Sequence, residues 1–248
     1  MLYLLVNVAV LSVPLAFSWH SRIRFVQHWP SLWRAGLLSL GFFIAWDIPF
    51  AKMGIWGFNE NYLVGVGFLG LPIEEWLFFA CVPYACVFTY ESLRSSVFAR
   101  RIRPLAIPTT WLAFIAILIV VLVASGRLYT TTVGIFAAAF LGFLLLARPQ
   151  WLADFWVSTL ALAAPFVATN GILTGVRFWT YPLVNHDAAR VADYIVRYNN
   201  AENLGVRITS IPVEDFVYAL LLIGLNVALF EYFKQSRSLK LSSEITPT

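Results

Sequence analysis

Residues 65–91 read GVGFLGLPIEEWLFFACVPYACVFTYE, and residues 205–231 read GVRITSIPVEDFVYALLLIGLNVALFE. In each stretch a glycine (Gly65, Gly205) stands seven residues before a proline (Pro72, Pro212). Two acids follow that proline: Glu74 and Glu75 in the first stretch, Glu214 and Asp215 in the second. A glutamate (Glu91, Glu231) closes each stretch 19 residues after the proline. Equal offsets over this distance mark an internal repeat. Between the acid pair and the closing glutamate the chain is almost wholly apolar, as a membrane-crossing helix requires. Upstream, Asp47 precedes Trp56 by nine residues, and Asn170 precedes Trp179 by nine. This spacing suggests that Asp47 corresponds to Asn170 and Trp56 to Trp179.

Outward from the repeat, the whole chain has the same character. Of 248 residues, 60% are hydrophobic and 12% are charged, with 17 Lys and Arg against 13 Asp and Glu. A soluble domain carries about twice that share of charge. The net charge of +4 is too dilute for a nucleic-acid surface, so no nucleic-acid partner is expected. Seven apolar runs stand out, roughly 2–19, 32–50, 72–92, 105–124, 130–147, 152–173 and 212–233. The first lacks a basic n-region and a small-residue cleavage site, so it reads as a retained span. The expected fold is an all-α polytopic membrane domain over 1–248. Repeat 1 covers about 2–92 and repeat 2 about 130–233, with a connector helix at about 105–124 and a short tail from 234 to 248. A shift of four spans is even, so both repeats cross the bilayer in the same direction, as parallel repeats do. Eleven Lys and Arg fall on one side and six on the other, which favours the N-terminus outside and the C-terminus inside the cytoplasmic membrane. In the long connection 174–211, Ala188, Val191, Ile195 and Tyr198 share a helical face, which predicts a short helix, either lying in the interface or solvated as part of a loop.

Both acid pairs then lie at one membrane face. Proline followed by acids is a good helix start, and one such motif needs no other explanation. Two copies, each with a doubled acid beside an oily span, carry a like-charge and desolvation cost that usually marks function. In a close carboxyl pair one group keeps its proton while the other serves as a base. Trp46, Trp56, Tyr62, Trp76, Phe78, Phe79, Trp179 and Tyr198 surround the motifs in sequence, and aromatic faces stabilise a transient cation. The combination suits proton-initiated chemistry on an apolar alkene. Asp47 and Asn170 are expected either to orient the acids or to cap the ends of their helices. Glu91 and Glu231 are expected either to serve a proton path or to pair with Arg94 and Lys234.

These residues resemble a known family. Asp47, Trp56-Gly57-Phe58-Asn59, Leu71-Pro72-Ile73-Glu74-Glu75 and Tyr90-Glu91 resemble the first half of the integral-membrane lycopene cyclases. Ile172-Leu173-Thr174-Gly175, Tyr198-Asn199, Gly205 and Ile211-Pro212-Val213-Glu214-Asp215-Phe216 resemble the second half. The resemblance implies a fused single-chain lycopene β-cyclase, an isomerase of the intramolecular lyase type with no phytoene synthase domain in the chain to Thr248. Its substrate and products would be lycopene, γ-carotene and β-carotene, with membrane lipid as its surroundings and no cofactor. It also implies that Glu74, Glu75, Glu214 and Asp215 are the acidic positions tied to activity. Glu74→Gln or Glu214→Gln is then expected to abolish cyclisation. One or two active sites, and the oligomeric state, stay open at this point.

Other readings fare less well. Gly65 to Gly70 matches GxGxxG, but a dinucleotide site needs a strand before it and a βαβ unit around it. His20, His28 and His186 lack ligand spacing, so no metal is expected. Cys81 and Cys86 read as buried, reduced residues. The main rival is a proton-coupled membrane transporter or a carotenoid-binding protein, since repeats and intramembrane acids fit those too.

Overall fold

A computed structural model describes residues 1–124, 126–187 and 191–245, with side chains through 238. Seven helices are found among the described residues: α1 (Leu2–Phe17), α2 (Trp29–Lys52), α3 (Ile73–Leu93), α4 (Val97–Val123), α5 (Leu128–Ala147), α6 (Leu152–Thr174) and α7 (Val213–Ile245). Six of them, α2 to α7, are long and apolar enough to cross a membrane. Helix α1 has 16 residues, or about 24 Å of rise. That is shorter than the expected span 2–19 and short of a hydrocarbon core of about 30 Å. Large apolar side chains cover the outer surface, among them Leu112, Leu122, Val123 and Leu146, each more than 70% exposed. A surface of this kind is stable against lipid, not water. The chain is a multi-pass membrane protein.

Helices α3 and α7 lie side by side at the centre. Arg94 at the end of α3 donates to Glu231 on α7 at 2.6 Å, and Lys234 on α7 donates to Glu91 on α3 at 2.5 Å. Such exchanged ion pairs require the two helices to run parallel and in register, with Glu74 and Glu214 at the same opposite end. Helix α1 packs along α3, α2 against both central helices, and α5 along α7. Helix α4 covers α5 and α6. Between α2 and the centre the packing is aromatic. Phe43 stacks on Phe79, with ring centres 5.6 Å apart, and also meets Trp46 and Tyr218.

The segments before α3 and before α7 fold alike, residue for residue at an offset of 140. Gly67–Phe68 pairs with Leu71–Pro72, and Arg207–Ile208 pairs with Ile211–Pro212. The turn residues Leu69 and Thr209 have φ of 53° and 57°. Asn59 N donates to the Ile195 carbonyl and Asn199 N to the Ile55 carbonyl, each at 2.8 Å. The GxGxxG stretch is therefore a tight hairpin, in which Gly70, at φ 86°, supplies the left-handed geometry that two-residue turns demand.

Three expectations are corrected. Helix α4 begins at Val97, not near 105, because Ser96 caps it through the Ala99 amide. Helix α7 runs on to Ile245, through the stretch expected to be a tail. No helix forms over Val191–Tyr198: Val196–Tyr198 is a strand, paired antiparallel with Trp56–Phe58. Cross-strand pairing satisfies the backbone there, and β-branched Ile195 and Val196 suit it. Ala188 and Arg190 lie outside the described residues.

Candidate active site

At the hairpin ends, each proline starts its helix and sets the two following acids in the first turn. Successive helical side chains point about 100° apart, so the two acids of a pair do different things. Glu74 Oε1 accepts from the Val64 backbone N–H at 2.6 Å, and Glu214 Oε1 accepts from the Leu204 N–H at 2.7 Å. Thr130 also donates to Glu214 at 2.6 Å, while Asn7 donates to the Glu74 carbonyl at 2.8 Å. These acids pin the preceding loop onto the helix. Both are buried, and neither lines the cavity that Glu75 and Asp215 face.

Glu75 and Asp215 point into the interior. Tyr3 on α1 donates to Glu75 Oε2, and Tyr129 on α5 donates to Asp215 Oδ1, each at 2.6 Å. Beyond that match the two differ. Asn170 and Tyr198 also donate to Asp215 Oδ2, at 2.7 and 2.9 Å. Asp47, at the position matched to Asn170, sits close enough to interact electrostatically with Glu75, and its buried Oδ2 has no hydrogen-bond partner. Burial and the adjacent Asp215 hold the Tyr198 phenol well above its ordinary range. Tyr198 therefore stays a proton donor to the carboxylate.

One cavity of about 560 Å³ takes in both halves. Its polar end is lined by Asp47, Glu75, Asp215, Asn170 and the tyrosines 3, 129, 198 and 218. The rest is apolar and runs along α3 from Glu75 past Val82 to Thr89, about 21 Å of helical rise. Aromatic faces of Trp56, Phe58, Phe78, Phe79 and Phe166 contribute to the wall. Such a site holds proton donors and acceptors at one end of an oily slot. Among the described residues, no three His, Cys, Asp or Glu side chains form a group suited to a metal.

Of the residues singled out by sequence, Asp47, Trp56, Glu75, Asn170, Tyr198 and Asp215 meet at this cavity. Glu91 and Glu231 lie at the far end of α3 and α7, in the exchanged ion pairs. They pair with Lys234 and Arg94 across the two halves, and Tyr90 also donates to Glu231 at 2.9 Å. Trp179 is 66% exposed in the turn Phe178–Thr180 and lies away from the cavity. Its expected equivalence with Trp56 is corrected. Asp47 and Asn170 are 123 positions apart, whereas Ile55 and Ile195 are 140 apart. The second half carries 17 extra residues in between, and the residue at the Trp56 position is Val196. Sequence reasoning passed over Tyr3, Tyr129 and Tyr218. The signal for the first two was present: Leu2-Tyr3 and Leu128-Tyr129 open the first helix of each half.

A family model described as lycopene cyclase matches residues 1–93 and 126–233. The stretch between the two matched segments contains α4. No curated protein matches, and no solved structure does.

Proposed function

The chain belongs to the lycopene cyclase family, and from that premise we propose that it closes β-ionone rings on the ψ-ends of lycopene by acid–base chemistry in which Glu75 and Asp215 share one site. One observation carries this reading: a single apolar cavity holds an acid from each half of the chain at one end.

The steps follow from what the residues offer. A carboxylic acid protonates the terminal double bond of the acyclic end and leaves a tertiary cation. The internal double bond attacks that cation and closes a six-membered ring. A carboxylate then removes a ring proton and restores the alkene. One proton is added and one is lost, so the mass is unchanged and no redox partner is consumed. Glu75, with Asp47 as its acidic neighbour, forms a carboxyl pair that can hold a shared proton, as acid dyads do. Asp215, with three donors on its oxygens, is arranged as an acceptor-only carboxylate and serves as the base. The aromatic wall shields the cation from water and stabilises it by its quadrupole. Glu74 and Glu214 fix the acidic turns that carry Glu75 and Asp215. The proposal extends to a protein of the cytoplasmic membrane, with seven crossings as two parallel repeats and the N-terminus outside. The short α1 then crosses with thinning of the bilayer or tilt of its neighbours.

The test uses membranes containing the protein, equilibrated in D2O and given lycopene. The expected product is cyclic and carries one deuterium per ring, since the added proton is exchangeable and the lost one is not. Unchanged lycopene, or a cyclic product without deuterium, contradicts the proposal. Unchanged lycopene bound to the protein is the outcome a carrier or transporter gives.

A further inference from the structure

The two halves of the molecule correspond helix by helix, and this makes it possible to compare one flank of the cavity with the other. Matched hydrogen bonds to the cavity acids set the first equivalence, and matched positions at the cavity set the second. Tyr3 and Tyr129 place α1 on α5 at an offset of 126, and Asp47 and Asn170 place α2 on α6 at an offset of 123. The groove between α1 and α6 therefore corresponds to the groove between α5 and α2.

The two grooves are filled differently. Between α5 and α2, Phe136 packs against Phe42 and Trp46 with ring centres 5.3 and 5.1 Å apart, at steep interplanar angles. Edge-to-face aromatic contacts of this kind are well-formed packing. The corresponding residues between α1 and α6 are Val10, Pro165 and Thr169, and all three line the cavity instead of closing it. Beside them Ala9, Val13 and Ala168 line the cavity and are exposed on the outer surface of the helices. A residue that faces both a cavity and the outside stands at an opening. No charged side chain of α1 or α6 lines this flank, so the opening suits lipid, not water.

We infer that the groove between α1 and α6 is the lateral mouth through which the acyclic polyene enters from the bilayer, and that Phe42, Trp46 and Phe136 seal the equivalent groove on the other flank. The inference rests on the cyclase reading of the cavity. The occupant is a linear, apolar polyene. The slot is about 21 Å long by helical rise and apolar beyond its acidic end, so it takes one end of a C40 chain while the remainder stays in lipid.

The test compares matched tryptophan substitutions. Ala9→Trp and Ala168→Trp place a bulky ring in the mouth. Ile135→Trp and Ala45→Trp place the same ring at the corresponding positions on the sealed flank, where both residues are exposed to lipid. Each variant is expressed in lycopene-accumulating cells, and cyclic product is normalised to the amount of protein in the membrane. Lycopene retained per molecule of detergent-purified protein is measured in parallel. The expected result is at least a tenfold loss of conversion and of retained lycopene for Ala9→Trp and Ala168→Trp, with the other two within twofold of wild type. Ala168→Leu, a smaller change, should fall between. Conversion and retention unchanged in the two mouth variants overturn the inference, as does an equal loss in all four tryptophan variants. A wild-type protein that leaves lycopene uncyclised overturns the cyclase reading itself, and is told apart because it is read before any variant is made.

Discussion

Asp47 and Asn170 occupy corresponding places, yet one is an acid and the other an amide. The difference of a single functional group makes the surroundings of the two cavity acids unlike. Asn170 can donate to Asp215, and with Tyr129 and Tyr198 it takes three of that carboxylate's acceptor positions and leaves one open. Asp47 instead sets a second carboxyl near Glu75. The adjacent acids Glu74 and Glu214 hold backbone N–H groups, a duty that an amide oxygen also performs. Glu74→Gln and Glu214→Gln are therefore expected to keep at least a tenth of wild-type conversion, contrary to the sequence expectation that they abolish it. Pigment analysis of cells expressing each variant at matched protein level checks this. Tyr129→Phe removes one of the three donors to Asp215. A hydrogen bond to a charged group contributes about 1.5–3 kcal/mol, so a loss of roughly ten- to a hundredfold in turnover is expected, measured as initial rate in isolated membranes. The duplicated acid pair was legible in sequence because its offsets repeat. Which acid of each pair faces the cavity was not legible, because that depends on the rotation of helices packed by non-local contacts.

At the scale of elements, α3 and α7 are tied together at one end. The exchanged pairs Arg94–Glu231 and Lys234–Glu91 close that end, and the cavity acids hang from the other. Glu231 is 2% exposed and Arg94 33%, so breaking this pair costs less than in a fully dry site but more than on a surface. Glu231→Gln is expected to destabilise the protein by about 2–3 kcal/mol, read as earlier unfolding in a detergent denaturation series. Activity per folded molecule should stay within twofold, because the pair lies away from the cavity. Gly224 on α7 faces the Phe140 ring on α5 so closely that any added carbon must displace it. Gly224→Ala should cost about 1–3 kcal/mol through overpacking, in the same assay. All seven helices overlap the apolar runs read from the sequence. The short strands were not legible in it. Trp56–Phe58 and Val196–Tyr198 are three residues each and find one another across 140 positions. Local periodicity carries no information about such a partner, and helical spacing in Val191–Tyr198 was coincidental. The misplaced equivalence of Trp179 has a related cause, since a 17-residue insertion between matched segments breaks a comparison that uses one fixed offset.

For the molecule as a whole, the two halves enclose a single cavity, and Glu75 and Asp215 both line it. If they act together, neither half can cyclise alone. If each half ran its own reaction, loss of one acid would still leave the other to make a ring. The measurement that separates these is the pigment profile of lycopene-accumulating cells carrying wild-type protein, Glu75→Gln or Asp215→Asn, with each pigment identified by chromatography and mass. The composite site predicts cyclic isomers of lycopene with the wild type, and at least a hundredfold loss of both monocyclic and bicyclic products with either variant. Abundant monocyclic product from either single variant, with the protein present in the membrane, would contradict it.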